Sequence, residues 1–265
     1  VGKITNSGLE LSLTSRNINR DLKWTTQFNI SRNKNEITSI GVYTEDAVGG
    51  GTNDTRVVVG QPVGTNFLVR FSHVDPVTGK PVYLDINGNE TFTWDPKDRV
   101  SVGSVLPDAM GGITNSFSYK NFDFSFLFNF VLGGDVYNSS SKRQLGVVTN
   151  WNMTTDIFDR WQKPGDIAKY PRLTLDTRTY GSSTPWINTT MWLQDGTFAR
   201  LRNVTLGYSL PKTITKKLKI QSFRMSLIGT NLLTFTKYTG LDPEIGANFS
   251  YPTMKQFALG INVTF

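Results

Sequence analysis

Cysteine is absent from this 265-residue chain, and histidine occurs once, as His73. The first absence excludes a disulfide scaffold, a thiolate nucleophile and every cysteine-containing zinc site; the second excludes metal motifs built on several histidines. Charge is scarce too, at 18% of residues against roughly 25% in an average soluble domain, although 28 Lys and Arg outnumber 21 Asp and Glu to give a formal charge of +7. Apolar residues, at 38%, also fall short of the usual ~45–50%. No stretch approaches the ~18 consecutive apolar residues of a transmembrane helix. Asn, Thr, Ser and Gly fill the gap, a composition suited to strands and turns. The length fits one large β-domain or two smaller ones. The chain opens on Val1, with no basic segment followed by an apolar run, so a secretion signal is expected outside it and the chain reads as a fragment.

What is present is alternation at period two. Phe122, Phe124, Phe126, Phe128 and Phe130 occupy every even position of one run, which predicts a strand with a wholly aromatic face. Phe257, Leu259, Ile261, Val263 and Phe265 repeat the pattern at the other end of the chain, and residues 9–14 alternate likewise. Residues 23–40, 112–119, 198–210 and 220–235 read as strands with weaker or imperfect alternation, for a total of about seven, several of them longer than the ~5–6 residues usual in globular sheets.

Short polar connections (residues 17–21, 120–121 and 211–219) alternate with long irregular ones (roughly 41–111, 133–197 and 236–255). An antiparallel meander with short turns at one end and long loops at the other is the arrangement of outer-membrane β-barrels. A soluble sandwich also has alternating strands. Loops of about 65–70 residues argue against it, as does an uncharged aromatic face of about 9 residues, the strand length that crosses a bilayer at a tilt. Trp24, Tyr119, Tyr208 and Tyr238 lie near strand ends, as interfacial girdle residues do. An open sheet of about seven strands leaves edges unpaired in hydrocarbon, so the piece is expected to be part of a larger barrel.

Two runs carry a resemblance. Asp195-Gly196-Thr197-Phe198-Ala199-Arg200-Leu201-Arg202-Asn203-Val204-Thr205-Leu206-Gly207-Tyr208-Ser209-Leu210-Pro211 and the later Asn231-Leu232-Leu233-Thr234-Phe235-Thr236-Lys237-Tyr238-Thr239-Gly240-Leu241-Asp242-Pro243-Glu244 resemble landmark segments of SusC/RagA-like TonB-dependent outer-membrane transporters. The family positions among them are Arg200, Leu201, Asn203, Gly207, Tyr208, Pro211, Asn231, Tyr238, Gly240, Asp242, Pro243 and Glu244, with the terminal Phe265. Earlier segments, including Gly60-Gln61-Pro62-Val63-Gly64 and Arg160-Trp161-Gln162-Lys163-Pro164-Gly165-Asp166, are similar to further landmarks in the same order.

The resemblance implies an all-β fold: the C-terminal part of an antiparallel transmembrane barrel of about 22 strands, with long extracellular loops and with plug domain and TonB box outside residues 1–265. It implies a nutrient importer in the Gram-negative outer membrane, not an enzyme. Its substrate would be a glycan or a peptide, delivered by a SusD-like surface lipoprotein, and its energy would come from the TonB complex through the N-terminal segment not found here. Lipid would surround the strands. No cofactor and no nucleic acid is implied. The competing class is a soluble carbohydrate-binding β-sandwich that uses loop tryptophans.

Trp94, Trp151, Trp161, Trp186 and Trp192 fall in the long loops, where flat aromatic faces suit sugar rings or a partner protein; the alternative is that they pack the loops. The run Asp85-Ile86-Asn87-Gly88-Asn89-Glu90 superficially resembles a calcium loop, but its glycine comes too early and the closing Glu is missing, so it reads as the turn of a hairpin between residues 82–86 and 91–94. Carboxylate pairs at Glu45/Asp46, Asp95/Asp98, Asp156/Asp159 and Asp242/Glu244 read as solvated or turn-capping groups, and His73 has no evident catalytic partner. Lys212, Lys216, Lys217 and Lys219 lie in a predicted short turn without interleaved aromatics, which suits a membrane-proximal turn better than a nucleic-acid surface.

Overall fold

A computed structural model describes residues 2–44, 55–145, 148, 152–182, 188–246 and 251–265. Strands β1 (Lys3–Asn19) and β2 (Leu22–Ser39) form a first hairpin. The long connection after it holds β3 (Thr55–Arg56), β4 (Thr65–Val74), β5 (Pro81–Leu84), β6 (Glu90–Thr91) and β7 (Arg99–Ser104). A second hairpin, β8 (Ala109–Tyr119) and β9 (Phe122–Leu132), leads to a second long connection carrying β10 (Asp135–Tyr137) and β11 (Leu193–Asp195). Then come β12 (Phe198–Ser209), β13 (Ser222–Thr236) and β14 (Gln256–Thr264).

The principal sheet has seven antiparallel strands in the order β1-β2-β8-β9-β12-β13-β14. Every strand therefore lies beside its sequence neighbour in the sheet, and all long connections emerge at one end, as the spacing of breaks predicts. The strands run further than alternation alone indicates: β1 has 17 residues and β2 has 18, against 11 each in β8 and β9. Pairing of β2 with β8 stops at Ser31, so the outer part of the first hairpin extends past the rest of the sheet on the long-loop side. At the opposite end the connection after β12 contains a helix, Lys212–Lys217, where a plain turn is expected. Its lysines sit beside exposed Ile214 and Leu218.

Cross-strand register puts the even residues of β9 opposite Phe117, Ile113, Leu201, Val204, Leu206 and Tyr208, and opposite Asn115. Leu227, Leu259 and Ile261 continue the same face. This face is aromatic and aliphatic, and much of it is bare: Leu9 is 81% exposed and Phe257 74%. Trp24 stacks on Phe117 at 5.5 Å between ring centroids and Phe122 lies 4.7 Å from Tyr208, which gathers an aromatic band at the short-turn end. Polar side chains on this face bond to one another: Asn115 Oδ1 accepts hydrogen bonds from Trp24 Nε1 (2.8 Å) and Thr26 Oγ1 (2.7 Å), and Thr26 Oγ1 accepts from Asn17 Nδ2 (2.7 Å). The other face carries Asn129, Asp123, Ser125, Thr205, Arg224 and Asn262. A sheet apolar on one side and polar on the other, with the apolar side uncovered among the described residues, is a wall between two solvents rather than half of a sandwich.

The imperfect alternation of residues 198–210 has a specific cause. Register shifts between Leu201 and Asn203: against β9, where their partners Phe128 and Leu127 are adjacent, Arg202 is an extra residue in β12, and β13 carries Asn231 and Leu232 at the same level. Polar positions fall on even numbers before it (Arg200, Arg202) and on odd numbers after it (Asn203, Thr205, Gly207), yet all face the same side.

On that polar side a salt bridge crosses a strand. Arg224 Nη1 donates to Asp123 Oδ1, and Nη2 donates to Oδ2 at 2.7 Å, passing over β12 at Gly207. A Cβ at residue 207 would stand 2.4 Å from Arg224 Nη2 and 2.5 Å from Asp123 Oδ1. A side chain at this position would force the ends of Arg224 and Asp123 to move from their present pairing. Replacing Gly207 with Ala is expected to lower stability by about 1–3 kcal/mol, and Val should cost more. Loss of the compact, fast-migrating form of the full-length protein at lower temperature in unheated-gel electrophoresis is the measurement that checks this.

Candidate functional site

The buried hydrophobic clusters lie outside the principal sheet. One joins Val69, Tyr83 and Tyr180, with Phe71 and Trp94 against it; another joins Leu145, Ile157, Tyr170 and Trp192. Both belong to the long connections, so the loops form a layer with cores of its own. Hairpin β5–β6 sits in this layer as the Asn-Gly signal predicts, with strands shorter than expected, and Asp85 Oδ1 accepts from Asn87 N (2.9 Å) and Asn89 N (2.8 Å) across its turn.

An ion network fixes the loop layer to the wall. Arg200, 2% exposed on the polar face of β12, donates through Nη2 to Asp242 Oδ1 at 2.5 Å and through Nη1 to Glu244 Oε2 at 2.9 Å. Arg202 donates to the other oxygen of Glu244 and, at 3.1 Å, to Asn231 Oδ1. Asp242 also accepts from the backbone N–H of Glu244 and of Thr253, each at 3.0 Å. Burial pushes the Asp242 carboxyl up, but the bonds from Arg200, Glu244 and Thr253 outweigh it and hold the pKa at about 2. The neighbouring Tyr238, 6% exposed, is tucked under the same loop and packs against Gly240, where a Cβ would stand 2.2 Å from the phenol oxygen. Thr239 is clamped by Gln194: Thr239 N donates to Oε1 and Gln194 Nε2 donates to Thr239 Oγ1, both at 2.9 Å.

Recesses open in the layer among the described residues. A shallow one of about 640 Å³ is lined by Asp108, Asp135 and Asp195, where burial pushes the Asp135 carboxyl up against a hydrogen bond from Asn66. A smaller one of about 310 Å³ lies between the helix Ser139–Gln144, residues 154–156 and the loop 238–246.

The tryptophans divide. Trp192 is 5% exposed and stacked on Tyr170, so it belongs to a loop core and offers no face to a ligand, against the expectation for it. Trp94 and Trp161 are half-buried, each tied by its Nε1 to a backbone carbonyl, of Asn188 (3.2 Å) and Pro76 (2.9 Å). Trp151 and Trp186 lie outside the described residues. Tyr238 leaves the girdle proposed for it, because it is packed in the loop layer; Trp24, Tyr119 and Tyr208 are at the short-turn end of the apolar face.

Of the carboxylate pairs, Asp95 and Asp98 accept backbone N–H groups of Lys97 and Ile86, and Asp242 and Glu244 are held by arginines. Glu45 and Asp46 lie outside the described residues. His73, unpartnered in the sequence reading, has Ser72 Oγ at 3.0 Å and Glu90 Oε1 at 3.5 Å from Nδ1. Among the described residues no group of three His, Cys, Asp or Glu is placed to hold a metal.

Comparisons with known proteins agree with this geometry. No protein-family model matches the chain. TonB-dependent receptor P26 of Formosa agariphila is 32% identical over all of this chain and 29% of its own length. TonB-dependent receptor SusC of Bacteroides thetaiotaomicron is 29% identical over all of this chain and 27% of its own length. In solved structures, the RagAB peptide transporter superposes on the entire chain with a TM-score of 0.84 at 26% identity, over 30% of its own chain. The chain thus spans less than a third of the length of these relatives.

Because the folded-state pKa of Asp242 lies below the value near 3.8 of a free carboxyl, its contribution to holding the loop is complete above about pH 4 and fades as pH falls toward 2. Asp242→Asn leaves Arg200 buried with one carboxylate fewer and is expected to weaken loop attachment by about 3–5 kcal/mol. Hydrogen exchange of the full-length protein checks it: amides of residues 238–246 should exchange at least tenfold faster in the variant at neutral pH, with strands β12 and β13 unchanged.

Proposed function

We propose that this chain is part of a TonB-dependent receptor of the SusC/RagA type, an outer-membrane β-barrel transporter, and that it supplies the C-terminal part of the barrel wall and of the extracellular mouth of a nutrient importer. The observation that carries this reading is the two-sided sheet with every long connection at one end. Its apolar face meets lipid, its polar face with Asp123 and Arg224 lines the lumen, and the loop layer anchored through Arg200 stands outside the cell.

In this reading a SusD-like surface lipoprotein closes over the loop layer and hands a glycan or a peptide to the lumen. TonB acts on parts of the receptor outside these residues, so the present strands and loops bind and guide but do not transduce energy. Trp94 and Trp161, tied at Nε1 and half-exposed on their faces, are candidates for contact with ligand or lipoprotein. Similarity to a peptide transporter and to SusC alike supports the importer class without choosing the cargo.

Uptake by cells carrying the full-length receptor is expected to stop when TonB is deleted, with the receptor still recovered in the outer-membrane fraction. Uptake that persists without TonB, or recovery of the receptor in the soluble fraction without detergent, would overturn the proposal.

A further inference from the structure

Positive charge gathers at the short-turn end of the wall. The three connections there, residues 17–21, 120–121 and 211–219, contain Arg20, Lys120, Lys212, Lys216, Lys217 and Lys219 against one carboxylate, Asp21. Four of these six cations belong to the connection between β12 and β13, where the helix Lys212–Lys217 stands. All four lysines of that connection are exposed, and none has an ion-pair partner among the described residues. Lys212 and Lys216, four apart on the helix, repel each other in water, and an external anion beside them turns that repulsion into attraction.

The helix is held in a fixed orientation. Thr215, 3% exposed, is packed into the protein; its Oγ1 donates to Lys212 O, and Ile220 N donates to Thr215 O at 3.1 Å where the chain returns to β13. Ile214 and Leu218, again four apart and so on one side of the helix, are 41% and 58% exposed.

Its position decides what it meets. The apolar column of β12 and β13 runs through Leu206, Tyr208, Leu227 and Met225 to Leu210, whose N–H donates to Phe223 O at 2.9 Å, and the helix follows directly after Pro211. The aromatic band with Trp24, Tyr119 and Tyr208 lies at the same end, and such bands sit at the level of lipid headgroups. The helix therefore begins where a bilayer presents its phosphates. Lysines flanking exposed aliphatic side chains suit that boundary: the aliphatic groups enter the acyl margin, and the long lysine stems carry their ammonium groups to the headgroups. A soluble polyanion would satisfy the lysines and leave Ile214 and Leu218 in water, whereas an anionic lipid accounts for both.

We propose that the helix Lys212–Lys217, together with Leu218 and Lys219, is a docking site for anionic phospholipid in the leaflet at the short-turn end of the wall. The lysines bind the phosphate groups, and Ile214 and Leu218 lie against the first acyl carbons. The proposal rests on the reading of the sheet as an outer-membrane wall and adds a lipid preference at one rim. Each lysine beside an anionic surface strengthens binding about fivefold, so the site prefers a phosphatidylglycerol headgroup to a zwitterionic one.

Hydrogen exchange of the full-length receptor in lipid nanodiscs tests it. With about a quarter of phosphatidylglycerol in phosphatidylcholine, amides of residues 212–221 should exchange at least about threefold more slowly than in phosphatidylcholine alone, and the difference should shrink in ~0.5 M salt. Amides of β8 and β9 should exchange alike in both. The variant K212Q/K216Q/K217Q/K219Q should lose the difference, and K216Q/K217Q decides alone if the fourfold variant does not fold. The proposal is overturned if the wild-type helix exchanges alike in both discs or if the folded variants keep the wild-type difference. It is equally overturned if soluble glycerol 3-phosphate or a peptidoglycan fragment, added to phosphatidylcholine discs, protects the helix as well as phosphatidylglycerol does. TonB-dependent uptake by a receptor whose helix ignores phosphatidylglycerol would retain the importer and discard the lipid site; lipid preference without TonB-dependent uptake would retain the site and discard the importer.

Discussion

Backbone pairing is the constraint on which this structure depends. A strand facing hydrocarbon has no water for its N–H and C=O groups, so its neighbours in the sheet must take all of them. That requirement explains why consecutive wall strands are adjacent, why their pairing is continuous from β1 to β14, and why irregular backbone is confined to the ends. It also explains the treatment of the few polar side chains on the apolar face: Asn115 is paired with Trp24 and Thr26, leaving its carbonyl oxygen satisfied within the wall.

Once the sheet is a wall, hydrophobicity has to be distributed differently from a globular domain. Wall side chains such as Leu9 and Phe257 are exposed in the chain alone, while close-packed residues such as Leu68, Val69 and Tyr83 are in the connections. The loop layer therefore has its own packing, to which the wall adds a buried arginine and the buried side chains of Ile37 and Phe198. Arg200 is buried where wall and loop meet, and its two carboxylates reach it from a segment more than forty residues further along the chain. The lumen-side pair Asp123–Arg224 ties β9 to β13 across β12 in the same way.

Much of the wall was legible because period-two alternation is a direct imprint of two unlike solvents. Phe122 to Phe130 show it without interruption, and the break spacing identified which ends carry loops. Strand lengths were less legible: the outer halves of β1 and β2 lie past the last pairing with β8, where neither side demands an alternating pattern. The family segments contained Arg200, Arg202, Asp242 and Glu244 but not their pairing; four charges in an otherwise sparsely charged chain were the available signal. Trp192 misled because packing in a long loop depends on contacts between irregular segments: an aromatic residue there is as apt to build that loop's core as to decorate its surface.

The extra residue at Arg202 acts as a phase change in the strand. Up to it, charge falls on even positions; beyond it, polarity falls on odd ones, and the wall still shows lipid a single continuous face. Length beyond the bulge is therefore fixed by the geometry in a way that residue identity is not: removing one residue from the regular run that follows, Val204 for instance, would present Leu206 and Tyr208 to the lumen and Thr205 and Gly207 to hydrocarbon, and with Gly207 displaced the Asp123–Arg224 bridge would lose the gap through which it passes.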